Sequence, residues 1–257
     1  MKAVQLGEIE GPVMAFGSPA SNLQAVMALL GEAARRGVKR GAMICTGGLI
    51  GPCGDPGAVV SMLRTLGGPV LPSEAERRLA AGPRRGGALA ERDWYRLADD
   101  RIPQGDRVWM AGLPEAVLFT RKGKRFAAVA DRGGVAAPDG GPDVSDDVLR
   151  MALERLGGDL GPLDAVLAGG SGHAFRRVVD GVEWIGTGSA GLPPGDGRMQ
   201  TRFVLVNSGI ARLHRLDYDV AGALAKMQQV GLDRRWQDAL AGAPAPAREL
   251  LPGPRAA

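Results

Sequence analysis

The chain has 257 residues, of which 45% are hydrophobic and 23% charged, as expected for one large α/β domain or two small ones. Its formal net charge is only +4 and its aromatic content 4%, so composition disfavours a nucleic-acid-binding protein, which concentrates basic and aromatic residues on one surface. The two cysteines, eight positions apart, are too few for a disulfide framework or for a zinc site, which needs four ligands.

The first fourteen residues predict no targeting signal. They contain Glu8 and Glu10 and lack a basic segment followed by an apolar core, which a signal peptide requires. No apolar run reaches the length of a membrane span, and Cys45 and Cys53 are expected to be free thiols. We therefore expect a cytoplasmic protein with no membrane contact.

The first 75 residues predict alternating strands and helices. Apolar runs at 12–16, 41–46 and 69–71 have the length of buried strands, and the segments 22–36 and 56–66 between them have helical spacing. Asn22 and Asp55 are suitable N-caps for the two helices. A β-α-β-α-β order indicates a parallel sheet with helices on its faces.

The rest of the chain predicts a mixed or antiparallel sheet with further helices. The turn pairs Lys122-Gly123, Asp180-Gly181 and Ser208-Gly209 each join two apolar segments, a pattern typical of hairpins. We expect one domain at 1–242 and a flexible Ala/Pro-rich tail at 243–257. The predicted helices lie at 74–79, 93–100, 106–112, 145–156, 219–230 and 234–241, and the predicted strands at 117–120, 125–130, 165–168, 176–179, 182–186, 201–207 and 210–216.

The loops that follow the predicted strands carry a family resemblance. Ligands of open α/β sheets bind beyond the carboxyl ends of the strands, and there the chain resembles the calcineurin-like metallophosphoesterases over about residues 13–218. The first family motif, Asp-x-His-Gly-Asn, corresponds to Ser18-Pro19-Ala20-Ser21-Asn22. The second, which begins Gly-Asp, corresponds to Gly47-Gly48, and the third, Gly-Asn-His-Asp, to Ser73-Glu74-Ala75-Glu76.

Later motifs continue the resemblance in the same order. The family's His-Gly after a strand corresponds to Ala130-Asp131, and its Gly-His-Thr-His to Gly169-Gly170-Ser171-Gly172, with His173 one place beyond. Its Asn-Pro-Gly-Ser-Val-Gly-x-Pro resembles the segment 186–193. The resemblance implies an α/β fold: a β-sandwich of two mixed sheets flanked by helices.

The same resemblance implies that the family's chemistry is lost. Its members use two divalent metals to activate water and hold a phosphate, and of the corresponding positions only Glu74 keeps a side chain able to bind a metal. We therefore expect a pseudoenzyme without a cofactor, in a binding, scaffolding or regulatory role, with a protein partner or a second copy of itself. The degenerate positions are Ser18, Ala20, Gly48, Glu74, Ala130, Gly170 and Gly172.

Two alternatives remain open at the same loops. A divergent phosphoesterase could use a rebuilt single-metal site made from Glu74, Glu76, Asp131 and His173. Without a metal, arginines including Arg132 could instead bind a small anion, with Asn22 and His173 nearby; Arg77, Arg84 and Arg85 complete that set. The plainer interpretations are a helix cap for Asn22, a solvated or Arg-paired Glu76, and a loop ion pair for Asp131-Arg132.

Overall fold

The computed structural model describes residues 1–82, 92–130 and 141–244. Within these residues the chain forms two sheets and eight α-helices. The strands are β1 (Ala3–Glu8), β2 (Val13–Phe16), β3 (Met43–Cys45), β4 (Ala116–Arg121), β5 (Lys124–Val129), β6 (Ala165–Ala168), β7 (Ala174–Val179), β8 (Val182–Thr187), β9 (Thr201–Asn207) and β10 (Ile210–Leu216). The helices are α1 (Leu23–Arg35), α2 (Pro56–Leu66), α3 (Glu74–Ala80), α4 (Asp93–Arg101), α5 (Gln104–Ala111), α6 (Asp146–Leu160), α7 (Val220–Gln229) and α8 (Arg234–Leu240).

Both sheets mix parallel and antiparallel pairs. The six-stranded sheet has the order β1-β4-β5-β6-β8-β7, and the four-stranded sheet the order β10-β9-β2-β3. The predicted α/β fold with two mixed sheets flanked by helices is confirmed. The sheets do not divide between the two halves of the chain, however, because β9 pairs with the early strand β2 on one side and with the late strand β10 on the other.

The three predicted hairpins are confirmed, and the backbone of each turn has the conformation that its sequence favours. The two turn residues have positive φ in each case: Lys122 (53°) and Gly123 (76°), Asp180 (50°) and Gly181 (81°), Ser208 (51°) and Gly209 (75°). Positive φ at both central residues defines the turn whose twist matches that of paired strands. These turns therefore fix the register of β4–β5, β7–β8 and β9–β10.

The sequence analysis missed one strand, predicted one that does not form, and ended one helix too early. The apolar run predicted as a strand at 69–71 makes only an isolated parallel bridge, between Val70 and Cys45. Strand β1 was not predicted, because its residues alternate only weakly in burial and it pairs at a sheet edge, parallel to β4. Helix α6 was predicted to end before Gly157-Gly158, yet it continues to Leu160. Leu160 is buried against the sheet, and this packing outweighs the low helix propensity of the two glycines.

Two apolar clusters hold the layers together. The larger lies around the four-stranded sheet and the facing side of the other, where Phe119 and Phe126 stack with ring centroids 4.9 Å apart. The smaller packs α6 against the outer face of the six-stranded sheet around Trp184. No described helix is both long and apolar enough to cross a membrane. The predicted tail lies almost entirely outside the described residues, so the boundary at 242 stays a prediction.

Candidate functional site

The loops after β2 and β3 run side by side at the carboxyl ends of these strands. The N–H groups of Ser18, Ala20 and Ser21 donate to the carbonyls of Gly47, Gly48 and Leu49 at 2.7, 2.8 and 2.9 Å. All three donors have positive φ, at 40°, 52° and 62°, which costs free energy for residues other than glycine. The hydrogen bonds to the second loop hold this strained backbone in place.

Gly48 is the residue that the family resemblance aligns with a metal-bridging aspartate. A Cβ atom at Gly48 would lie 2.7 Å from Ser18 Oγ and 2.8 Å from Ser18 Cα, and its φ is +71°. The backbone of the first loop therefore fills the space that a side chain would need. A carboxylate cannot be placed here without moving that loop.

The loop after β8 covers the first loop from the other side. Ala190 and Gly191 N–H donate to the Gly17 and Ser18 carbonyls at 2.7 and 2.8 Å. Asn22 Nδ2 donates to the Gly191 carbonyl at 2.8 Å, and its Oδ1 accepts from Ala25 N–H at 3.0 Å. The predicted helix cap is confirmed, and Asn22 also ties α1 to this loop; its role in ligand binding stays a prediction.

Two buried hydroxyls join the sheets at the same place. Thr46 follows β3 in one sheet and Thr187 ends β8 in the other, and their Oγ1 atoms are 2.9 Å apart. Thr46 Oγ1 lies 3.2 Å from the Phe16 carbonyl, and Thr187 Oγ1 3.2 Å from the Ala168 carbonyl. A Cβ at Gly169 would lie 2.1 Å from the Thr46 carbonyl. The sheets thus meet at their strand ends through direct contact.

Glu76 is the buried carboxylate of the site. Its side chain is fully buried, Oε1 accepts from Ile50 N–H at 2.9 Å, and Oε2 accepts from Ser73 N–H at 2.7 Å. Burial raises its pKa, while hydrogen bonds from Ser73, Ile50 and Gly48 act in the opposite direction. The interpretation of Glu76 as solvated or Arg-paired is wrong, because it completes a capping box at the start of α3.

The candidate ligands that the structure describes, Glu74 and His173, do not form a metal-binding group with Glu76. The Glu74 carboxylate accepts a hydrogen bond of 2.6 Å from Nε of Arg78, one helical turn later, on the partly exposed side of α3. His173 is exposed, with Nδ1 2.8 Å from the Ser171 carbonyl oxygen. Asp131 and Arg132 lie outside the described residues, as do Arg84 and Arg85. Their predicted roles in binding stay predictions.

Small residues stand at the last three positions for which the family resemblance predicts a lost metal ligand. Ala130 is buried at the end of β5, and a Cβ at Gly47 would lie 3.2 Å from its Cβ. Gly170 and Gly172 have positive φ, at 112° and 71°, a conformation that suits glycine and disfavours the histidines of the family motif.

A two-metal centre does not fit this set of side chains. In residues 1–82, 92–130 and 141–244, no three His, Cys, Asp or Glu side chains lie close enough together to hold a metal ion. A divalent metal of the phosphoesterase type needs several carboxylate or imidazole ligands. The described part of the site offers backbone amides, hydroxyls and one buried carboxylate that is already hydrogen-bonded.

Solved structures show which fold this is. The chain is similar to a hypothetical protein from Pyrococcus horikoshii, with a TM-score of 0.74, 15% identity and coverage of 90% of this chain and 99% of that one. It is also similar to a metallophosphoesterase from Sphaerobacter thermophilus, with a TM-score of 0.68, 15% identity and the same coverage. No family model matches the sequence, and no curated protein matches it either. The fold is that of the calcineurin-like metallophosphoesterases.

Sequence analysis overlooked the residues that close the site. Thr46, Thr187, Ser21 and Ser189 are all buried near the strand ends, where Ser21 Oγ accepts from Gly51 N–H at 3.1 Å and Ser189 Oγ accepts from Leu192 N–H at 3.0 Å. Their positions at the ends of strands β3 and β8 or in the loops after β2 and β8 were visible in the sequence. Comparison with the family directed attention to missing ligands rather than to the hydroxyls beside them.

Proposed function

We propose that this protein is a non-catalytic member of the metallophosphoesterase fold that acts by binding, scaffolding or regulation. The observation that carries the proposal is the approach of Gly48 to Ser18, where a Cβ would lie 2.8 Å from the Ser18 Cα atom. The backbone of the first loop occupies the space that a bridging carboxylate would need at this position, which supports a site without metals.

The alternative is a divergent phosphoesterase with a single metal at Glu74, Glu76, Asp131 and His173. The structure gives this alternative little support, because Glu76 already accepts backbone hydrogen bonds on both oxygens and Glu74 pairs with Arg78. A metal bound there would have to displace these contacts, and each displaced N–H group would remain buried without a partner.

Metal analysis and a phosphodiesterase assay separate the two functions. The full chain is incubated with Mn²⁺, Fe²⁺ or Zn²⁺, desalted, analysed for bound metal, and tested on bis(p-nitrophenyl) phosphate beside an active phosphodiesterase of the same fold. We expect no stoichiometric metal and no turnover above the protein-free rate. Stoichiometric metal, with turnover abolished in Glu74→Ala, would establish the alternative.

The proposed binding role requires a protein partner or a second copy of this chain. The proposed location is the cytoplasm, which is consistent with the two buried free thiols at Cys45 and Cys53. Light scattering after size exclusion measures whether the purified chain forms a homo-oligomer. Co-purification of the full chain from its native cell tests for a partner protein. A monomer that recovers no stoichiometric partner would contradict the scaffolding role.

A further inference from the structure

A second concave surface lies away from the strand ends discussed above. A cavity of about 230 Å³ opens on the face of the β9–β10 hairpin, lined by Leu205, Asn207, Ser208, Ile210, Arg212 and His214. β9 runs antiparallel to β2, and Val206 lies opposite Val13, the first residue of β2. The turn of this hairpin therefore lies at the amino end of β2, away from the carboxyl ends of β2 and β3. The cavity is therefore separate from the degenerate site.

The register of the hairpin explains how these side chains come to share one face. Ile210 pairs with Asn207, Arg212 with Leu205, and His214 with Phe203. Alternate residues of a strand point to the same face, so the two strands together present an apolar floor beside two basic side chains.

His214 has a hydrogen-bonding atom that no described residue satisfies. Its Nε2 is buried and has no hydrogen-bond partner among the described residues. Its ring stacks on Phe203, with centroids 5.3 Å apart, so the imidazole cannot easily turn away. A buried polar nitrogen without a partner costs free energy. Because Nε2 is closed to solvent in this conformation, a neighbouring side chain must move before a ligand atom with a lone pair can reach it and remove this cost.

The charges that surround His214 are mostly positive. Arg36, at the end of α1, lies over the Phe203 ring at 5.6 Å and pairs through Nε with Glu32 at 2.8 Å. Arg212 is exposed and makes no ion pair with any carboxylate in the described parts of the chain. Partial burial lowers the pKa of His214, as do Arg36 and Arg212, while Glu32 raises it. An anion is the ligand charge that this surface favours.

We propose that this cavity binds a small organic anion whose acidic group meets Arg212 and His214 and whose apolar part lies on Leu205 and Ile210. The volume is below the roughly 300–1,000 Å³ typical of pockets for drug-sized ligands, so the ligand is a small molecule. Asn207 and Ser208 at the turn end of the cavity offer further polar contacts. This site is independent of the proposed loss of catalysis.

Titration by NMR with three related probes tests the proposal. Benzoate and phenylphosphonate carry an anionic group on an apolar ring, and benzamide is a neutral analogue of the same size. We expect benzoate and phenylphosphonate to shift the His214 ring and Ile210 methyl signals with saturation at millimolar concentration, and benzamide to bind at least tenfold more weakly. No saturable shift with either anion up to 20 mM at pH 6, on the order of 10 times a millimolar Kd, would overturn it.

A matched pair of arginines on the same strand supplies the control. Arg212→Gln should weaken benzoate binding about tenfold, the loss of one charge-assisted contact, whereas Arg215→Gln should leave it within about twofold. Arg215 is also exposed, but its odd-numbered position puts it on the opposite face of β10. Equal losses in the two variants would show attraction to general surface charge and would overturn the site.

The role of His214 is tested through pH. An anion at Nε2 favours the imidazolium, so benzoate should bind more tightly as pH falls through the pKa of His214. His214→Phe keeps a ring that can stack on Phe203 and should remove this pH dependence. Unchanged pH dependence in the variant would exclude His214 from the site.

Discussion

The Glu76 carboxylate accepts a hydrogen bond of 2.9 Å from the Ile50 N–H and so joins the first turn of α3 to the loop after β3. Its second oxygen accepts from Ser73 N–H at 2.7 Å. Glu76→Ala would leave these amides without their acceptor, so we expect the free energy of unfolding to fall by about 3 kcal/mol. Urea unfolding followed by circular dichroism measures the change.

Glu74, two residues earlier, is the control for this prediction. It lies on the same helix and pairs only with Arg78, on the partly exposed surface. Glu74→Ala should cost no more than about 0.5 kcal/mol. Similar losses in the two variants would mean that helix charge, rather than the buried hydrogen bonds, explains the effect.

Glu76 also predicts a dependence of stability on pH. Burial raises its pKa in the folded protein above the value in the unfolded chain. The stability linked to this group is therefore fully present below the unfolded pKa and is lost as pH rises through the folded pKa. Glu76→Gln cannot titrate, so the stability of the native chain relative to this variant should decrease from about pH 4.5 upward.

Urea unfolding of the native chain and of Glu76→Gln at several pH values isolates this difference, because the other carboxyl groups titrate in both proteins. A native chain that gains stability relative to the variant over the same range would contradict the prediction. It would show that the hydrogen bonds to the carboxylate outweigh its burial.

The close approach of Gly48 to Ser18 predicts that one substitution cannot place the aspartate of the family motif at this position. Gly48→Ala should lower the free energy of unfolding by about 3 kcal/mol, from left-handed backbone strain and from the contact with Ser18. Gly123→Ala is the control, since Gly123 has a similar φ of +76° and nothing within 4 Å of its Cβ position. This variant should lose only about 1–2 kcal/mol, the backbone part.

Gly48→Asp places the family's side chain at the same position. We expect a loss of stability at least as large as that of Gly48→Ala and no gain of bound Mn²⁺, measured by urea unfolding and by elemental analysis. A stable Gly48→Asp protein that binds manganese would show that the two loops can separate, and the non-catalytic proposal would then lose its main support.

The sequence predicts the fold better than it predicts the site, for a physical reason. Strand runs such as Val13–Phe16 and turn pairs such as Asp180-Gly181 act locally, and each appears in the structure as expected. The environment of Glu76 is decided by residues 26 positions away, at Ile50. No local pattern reveals whether a glutamate beside Arg77 faces solvent or the interior, so burial was missed there.

Thr46 and Thr187 should depend on each other. Their two hydroxyl protons serve three short contacts, between the two Oγ1 atoms and to the Phe16 and Ala168 carbonyls. Replacing one threonine by valine therefore changes what the other can donate to or accept from. In a double-mutant cycle with Thr46→Val and Thr187→Val, we expect a coupling of about 1 kcal/mol.

Thr120 provides the control for this cycle, because it pairs with Arg125, at the far end of the six-stranded sheet from Thr187. Thr46→Val and Thr120→Val should be additive within about 0.5 kcal/mol. Additivity in the Thr46–Thr187 cycle as well would mean that the two sheets are not joined through these hydroxyls.

The cysteines should be chemically inert while the protein is folded. Cys45 and Cys53 are each 1% exposed, and burial raises the pKa of Cys45 to about 12 and that of Cys53 as well. The thiolate is the reactive form, so at pH 8 both thiols should react with iodoacetamide only when the chain opens. The rate of labelling, followed by mass spectrometry, should therefore rise with urea in parallel with unfolding and become fast once unfolding is complete. Rapid labelling of either cysteine without urea would mean that the loops after β2 and β3 open in the native state, against the closed strand ends on which the proposed function rests.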